Sequence, residues 1–278
     1  MVGLALALGG PAAGQPAPAP AKKAAPKTAE GAPGKAAKVD LARLVKALGS
    51  PALEEAAKAA DELGASPEPA AHDALLDALA WGLPPAVAVN AIAALGQHPA
   101  PPDVVALTRY AGHHNPTVRG AAFAALAMYP DPAAHKVVIA GLHDTTGSVR
   151  GAAAAAAAKG HVREAIEPLF ALLARSEEPA ARALAQMADA DLVRRIGDQL
   201  GKVPDPVLAQ CLGLILKRAD FGPDAVRVEV VRALGKIQDQ AALTALSDYV
   251  DATPKNPVRP SRDEAQKMVE ARLGGGAK

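Results

Sequence analysis

Three histidines and an aspartate have the residue types and spacing in this chain that best suit metal binding. His113 and His114 lie in one segment between apolar stretches, and His143 and Asp144 occupy the corresponding segment further along. Imidazole and carboxylate groups bind divalent metals, but they must converge to about 2 Å from one ion. Turns of neighbouring helical units lie on the order of 10 Å apart. We therefore interpret all four as solvent-exposed turn residues and predict no metal site.

Three arginines, Arg119, Arg150 and Arg182, occupy one position in successive copies of a sequence pattern. A guanidinium group forms paired hydrogen bonds with carboxylates and phosphates. The regular spacing suits a structural role at one place in each unit, and the alternative is a stripe that binds an anionic partner.

The usual catalytic patterns are missing from the sequence. It has neither a Gly-rich phosphate-binding loop nor a G-x-S-x-G segment, and its one cysteine, Cys211, lies in an apolar stretch that is typical of a protein core. We therefore predict that the protein is not an enzyme and carries no cofactor. Trp81, the one tryptophan, is also expected in the core.

The charge of the chain argues against nucleic acid as a partner. Its net charge is only +1, so it offers little attraction for phosphate groups.

The pattern that positions these residues is V-R-x-x-A-A-x-A-L-G, which returns every 31 or 32 residues. It spans 87–96, 118–127 and 149–158, and weaker copies begin at Glu55 and Ala181. A helical unit of this length predicts an α-solenoid, because each unit must cover the apolar face of the next. With 50% hydrophobic but 3% aromatic residues, we expect a core of Ala, Leu and Val.

Breaks at Pro, Gly and Asp-Pro predict an all-α chain of six to seven stacked antiparallel helix pairs. The predicted pairs are 40–49 with 51–64, 69–81 with 85–96, 102–112 with 116–128, 132–142 with 147–159, 163–175 with 178–188, 189–201 with 205–218, and 223–237 with 239–252. The solenoid thus spans 40–252. We expect 253–278 to form a linker, a short helix over 261–273 and a tail. The register after residue 190 stays open, because 226–235 fits the second-helix pattern where a first helix is expected.

The N-terminal residues suggest export. Residues 1–14 read as the remainder of a secretory signal, since an apolar stretch over 2–8 precedes small residues, although a basic start is missing. Residues 15–39, rich in Pro, Ala and Lys, predict a flexible, disordered linker. We expect a periplasmic or secreted protein if the signal is real, and a cytoplasmic one otherwise. The apolar stretch is too short for membrane insertion as a spanning helix.

The segments N-P-T-V-R-G-A-A at 115–122 and G-S-V-R-G-A-A at 147–153 resemble the second helix of HEAT repeats. The resemblance is to the short bacterial repeats of phycobilisome-lyase-like proteins and extends over about residues 50–250. It implies a HEAT-like solenoid whose second helices line the concave side. It also implies that Arg119, Arg150 and Arg182 form a structural ladder, in which each pairs with an acidic or amide group in a neighbouring turn. The iron-binding hydroxylases among HEAT proteins use His-Glu pairs, which this sequence lacks.

A helical wheel of 100° per residue suggests where a partner would bind. We expect the residues two, five and nine places after each pattern start to face the concave side, and none of them is charged. The predicted protein-binding groove contains Val89, Ile92, Phe123, Gly120, Gly151, Ala154 and Gln186. Ile92 and Phe123 would be its apolar anchors. An extended or helical apolar segment, from a partner or from the 261–273 helix of this chain, would lie along it.

The sequence therefore favours a non-catalytic scaffold in the bacterial cell envelope, with a protein or peptide as its partner. The alternative is an accessory or maturation factor for an enzyme or chromoprotein, which would carry a tetrapyrrole or similar ligand.

Overall fold

The computed structural model describes residues 40–274, and over this range the chain is helical with no β-strand. The predicted signal remnant 1–14 and linker 15–39 lie outside the described residues. The helices, which agree closely with the predicted pairs, are α1 Leu41–Leu48, α2 Leu53–Gly64, α3 Pro69–Trp81, α4 Pro85–Leu95, α5 Asp103–Ala111, α6 Pro116–Leu126, α7 Pro132–Gly141, α8 Gly147–Lys159, α9 Ile166–Ala174, α10 Glu178–Met187, α11 Ala190–Gly197, α12 Asp205–Lys217, α13 Asp224–Lys236, α14 Gln240–Ala252 and α15 Pro260–Gly274.

Local sequence explains where these helices begin. The side chains of Asp40, Asn115, Asp131 and Asp239 each accept a hydrogen bond from a backbone N–H in the first turn that follows. Proline occupies the first turn of α3, α4, α6, α7, α10 and α12, where its missing N–H costs nothing. These short-range signals separate the helices before any tertiary contact forms.

The even-numbered helices from α2 to α14 pack in sequence against one another and form the inner layer. The odd-numbered helices from α1 to α13 lie outside them and pack more loosely against one another. Small residues allow the close approach. Gly64 faces Ala94 of α4, and a Cβ atom at Gly141 would lie 2.5 Å from Phe123 Cζ. Because the inner helices are closer together than the outer ones, we infer that the stack curves with the even-numbered helices on its concave side.

Packing determines which of the C-terminal helices are first, outer helices and which are second, inner helices. Helix α13 carries the second-helix pattern, but it is a first helix, because α12 packs directly against α14. Arg227 of α13 is buried and donates to the carbonyls of Leu216 and Arg218, at 3.0 and 2.7 Å, so it caps the end of α12 instead of reaching the next unit.

The last helix extends the stack. Helix α15 packs against α13 and α14, and Arg262 donates to the carbonyl of Thr253 at the end of α14. A Cβ atom at Gly235 of α13 would meet Met268 Sδ at 2.5 Å. The expectation that this helix could lie along α4, α6 and α8 is therefore wrong, because its surface is used at the end of the solenoid. No described helix is long and apolar enough to cross a membrane.

Candidate protein-binding surface

The first two ladder arginines connect neighbouring units. Arg119 of α6 contacts both carboxylate oxygens of Asp144, at 2.8 and 2.9 Å, and Arg150 of α8 contacts Glu177 at 2.8 Å. Their Nη1 atoms donate to carbonyls in the turns before their own helices, those of His113 and Asp144, at 2.9 and 2.8 Å. Each guanidinium is therefore engaged in holding two turns together, which leaves little of it for an outside anion.

Arg182 departs from the predicted ladder. It is largely exposed, and its partner is Glu178, one turn earlier on its own helix, at 3.3 Å. Arg119 and Arg150 lie four residues after the N-cap residue of their helix, whereas Arg182 lies five residues after Glu177, about 100° further around its helix. In addition, Pro204 stands at the start of α12 where Glu177 stands at the start of α10, so that position offers no carboxylate.

The candidate metal residues do not converge. Asp144 is held by Arg119 and by the backbone N–H of Thr146, and Nδ1 of His113 accepts from the N–H of Asn115 at 3.0 Å. The rings of His113 and His114 lie against each other, with centroids 4.1 Å apart. Between residues 40 and 274, no group of three or more His, Cys, Asp or Glu side chains could hold a metal ion.

A buried polar cluster that the sequence did not predict joins two neighbouring helix pairs. Asp103, the first residue of α5, is fully buried and accepts from the backbone N–H of Ala100 at 2.8 Å and from Tyr129 Oη at 2.6 Å. His72 Nε2 of α3 lies 2.7 Å from its other oxygen. Burial, followed by the hydrogen bond with Asp103, raises the pKa of Tyr129 far above its ordinary value. An Asp in the first turn usually indicates a solvent-exposed cap, so nothing in the sequence marked this one as buried.

Three residues of the predicted groove are not on the surface. Ile92, Phe123 and Ala154, each five places after a pattern start, are 0%, 3% and 0% exposed. The expectation that they face solvent is wrong, and Phe123 cannot be a binding anchor, because its ring packs against Gly141 of α7. An inner helix has neighbours on both sides and an outer helix beneath it, so its buried arc is wider than a single amphipathic face suggests.

On α4, α6 and α8 the solvent-facing positions lie two, three and six places after the pattern start, within about 100° of the wheel. Val89, Gly120 and Gly151 of the predicted set are partly exposed there, and Gln186 of α10 is exposed. The corresponding positions of α10, Ala183, Leu184 and Met187, are buried. We call the resulting surface on the three central inner helices the alanine surface. It consists of Val89, Asn90 and Ala93 on α4, Gly120, Ala121 and Ala124 on α6, and Gly151, Ala152 and Ala155 on α8.

Cys211 and Trp81, both expected in the core, differ in their burial. Cys211 is buried in α12, and burial raises the pKa of its thiol to about 12, so it stays protonated at physiological pH. Trp81 is 91% exposed, and the expectation that it is a core residue is wrong. It is the last residue of α3, and Gly82 with φ 102° turns the chain away from it.

Comparisons with known proteins support the architecture. The family model for HEAT repeats matches residues 73–159. No curated protein matches this chain. Among solved structures, the complex of CpcE and CpcF of phycocyanin lyase from Nostoc sp. PCC7120 is 20% identical, with a TM-score of 0.46 and coverage of 88% of this chain and 99% of that chain. Human deoxyhypusine hydroxylase in complex with glycerol is 20% identical, with a TM-score of 0.40 and coverage of 83% of this chain and 96% of that chain.

A mutant of Kap121p is 14% identical over 84% of this chain, with a TM-score of 0.51, and this chain corresponds to 29% of that chain. At such identities, likeness establishes the fold and carries no activity across. The repeated inner helices, the arginine contacts between units and the family match agree with one another. Residues 73–159 thus match the HEAT-repeat family, and the described chain has an α-solenoid fold.

Proposed function

We propose that this protein is a non-catalytic scaffold that binds an apolar segment of another protein along the alanine surface. The observation that carries the proposal is the composition of that surface. Its nine solvent-facing positions on three adjacent helices hold no charged residue. The preceding inner helix α2 does carry exposed charges at the equivalent positions, Lys58 and Asp61, and Asp61 accepts hydrogen bonds from Asn90 at the edge of the surface.

An uncharged surface of small side chains favours contact with another protein backbone. Alanine and glycine let a partner helix or strand approach closely, so that many weak dispersion contacts form over a small distance. A partner that covers the surface removes apolar area from water without leaving a charge unpaired. Contiguous exposed apolar patches of this kind typically mark interaction sites in soluble proteins.

The proposed compartment is the bacterial cell envelope, because residues 1–14 combine an apolar stretch with a run of small residues. Cell fractionation followed by identification of the mature N-terminus tests this point. A protein that stays in the cytoplasm with residues 1–14 attached would contradict it.

The binding proposal is tested by placing a charge on the alanine surface. Ala124→Glu and Ala155→Glu put a carboxylate at exposed helical positions of α6 and α8 and should leave the melting temperature nearly unchanged. We expect them to abolish co-purification of the partner from the envelope fraction. Ala171→Glu is the matched control, since Ala171 is exposed on the outer helix α9, away from this surface.

Loss of the partner in all three variants, or its retention in the two inner-helix variants, would refute binding at the alanine surface. Turnover of a small molecule by the purified protein, with no reproducible partner, would refute the scaffold function itself.

A further inference from the structure

A groove between the outer helices α1 and α3 is separate from the alanine surface. Its volume is about 560 Å³, and none of its lining residues belongs to an inner helix. Ala70, Ala74 and Ala78 of α3 line it at four-residue intervals, and Val45 of α1 lies on the opposite side. We call it the α1–α3 groove.

Two aspartates and the exposed tryptophan share one edge of this groove. Asp73, Asp77 and Trp81 are spaced by four residues, so they lie above one another on consecutive turns of α3. All three are exposed, and Trp81 is the most exposed large apolar residue in the described chain. A tryptophan beside an apolar groove is a common centre of binding energy in protein interfaces.

The charge of the groove is uncompensated. No Lys or Arg is among its lining residues, and within the described chain neither Asp73 nor Asp77 takes part in an ion pair. Two like charges four residues apart disfavour their own helix slightly. A basic partner would remove this repulsion and gain two ion pairs, which is the complementarity that favours a cationic segment here.

The spacing along α3 matches an extended chain. Residues four apart on a helix are separated by about 6 Å along its axis. Alternate side chains of an extended segment point to one side and are about 6.6 Å apart.

The direction in which a bound segment would lie along the groove follows from Arg109 of α5. Its guanidinium donates to the carbonyl of Ala80 at 3.5 Å, beside the Trp81 end of the groove. This guanidinium disfavours a cation at that end and favours an apolar residue against the indole. Basic side chains then fall opposite Asp77 and Asp73.

We infer that the α1–α3 groove is a second docking site, for an extended protein segment that places a proline or other apolar residue on Trp81 and lysine or arginine at the next two alternate positions. The inference goes beyond the proposed function, because it concerns a different face of the solenoid and a basic partner.

Trp81 makes the test direct, because it is the only tryptophan of the chain and so the main source of its fluorescence when excited at long wavelength. The full-length protein is titrated with an acetylated, amidated peptide of sequence A-P-A-K-A-K-A, and with the same peptide carrying Glu or Gln in place of Lys. We expect a saturable change in Trp81 emission with the lysine peptide, a weaker one with the glutamine peptide and none with the glutamate peptide.

Variants assign the effect to the carboxylates. The double variant Asp73→Asn, Asp77→Asn should bind the lysine peptide with roughly tenfold lower affinity, because it loses two partly exposed ion pairs. The control is Asp251→Asn with Asp263→Asn, which changes the net charge equally at exposed positions outside the groove and should leave the affinity unchanged. Trp81→Ala, followed with a dye-labelled lysine peptide, should also weaken binding.

The inference is overturned if the lysine peptide causes no saturable change, if the glutamate peptide binds equally, or if both double variants behave alike. A bound peptide that becomes helical by circular dichroism would exclude the extended partner. Ala124→Glu should not affect this titration, so the groove and the alanine surface succeed or fail independently.

Discussion

The hydroxyl of Tyr129 donates a 2.6 Å hydrogen bond to the buried carboxylate of Asp103, which lies 26 residues earlier in the chain. Tyr129 follows the inner helix α6, whereas Asp103 begins the outer helix α5. His72 of the preceding outer helix completes the cluster at 2.7 Å. A carboxylate with no exposed surface depends on such donors, because an unsatisfied buried charge is costly.

Tyr129→Phe tests this dependence. Removing the hydroxyl takes one donor from a buried charge, and we expect the free energy of unfolding to fall by about 1.5–3 kcal/mol. The comparison is Tyr110→Phe, in which the lost bond, 2.7 Å to the Leu79 carbonyl, involves no charged group and should cost about 0.5–1.5 kcal/mol. Urea unfolding of both variants measures the difference. A larger loss at Tyr110 would contradict the special role of the Asp103 cluster.

The arginine ladder predicts unequal effects at equivalent sequence positions. Arg150→Ala removes the 2.8 Å contact with Glu177, which keeps only Arg175 at 3.4 Å, and takes this donor from two turn carbonyls. We therefore expect a loss of about 1.5–3 kcal/mol in the free energy of unfolding. Arg182→Ala removes an exposed pair within one helix and should change stability by less than about 0.5 kcal/mol. Thermal and urea unfolding of the two variants give the comparison. Similar losses would mean that Arg182 has a partner outside its own helix.

Two glycines distinguish close helix contacts from open ones. Gly141→Ala would place a Cβ atom 2.5 Å from Phe123 Cζ, so we expect destabilisation by about 1–3 kcal/mol. At Gly120 the nearest atom to a new Cβ is Ala152 Cβ at 3.6 Å, an ordinary contact, so Gly120→Ala should stabilise α6 by about 0.5–1 kcal/mol. Opposite signs of the change in unfolding midpoint support the packing described here. A stabilised Gly141→Ala protein would show that Phe123 is free to move away.

The Arg119–Asp144 pair predicts how stability depends on pH. The hydrogen bond from Arg119 holds the pKa of Asp144 below its ordinary value of 3.8, with help from the N–H of Thr146 and against the effect of burial. Because the folded pKa is the lower one, the contribution of this carboxylate is complete well above 3.8 and is lost as the pH falls through the folded value. The stability difference between wild type and Asp144→Asn should therefore be constant from about pH 7 to 5 and shrink below about pH 4.

A matching series with Asp191→Asn provides the control, since Asp191 is exposed and lies 3.4 Å from Arg194 on its own helix. Its effect on stability should be small at every pH. A stability difference for Asp144→Asn that is already lost at pH 5 would show that Asp144 is not the controlling group.

Local sequence determined the helices and their pairing. Proline and the capping residues Asn115 and Asp131 set the helix starts, and the repeat of small and apolar residues set which side of each inner helix is buried. These features act within a few residues of one another, so they can be recognised without a structure. Val118 and Ala122, at repeated apolar and small positions of the pattern, are both buried.

Tertiary packing decided the surfaces. A wheel locates the centre of the buried arc, but its width depends on how many helices surround each inner helix, and that is why Phe123 is buried while Ala124 is exposed. The cluster of His72, Asp103 and Tyr129, the isolation of Arg182 and the exposure of Trp81 all depend on which side chains a neighbouring unit brings near. A single sequence specifies each unit's own periodicity, whereas the distances between units arise only when the complete stack has formed.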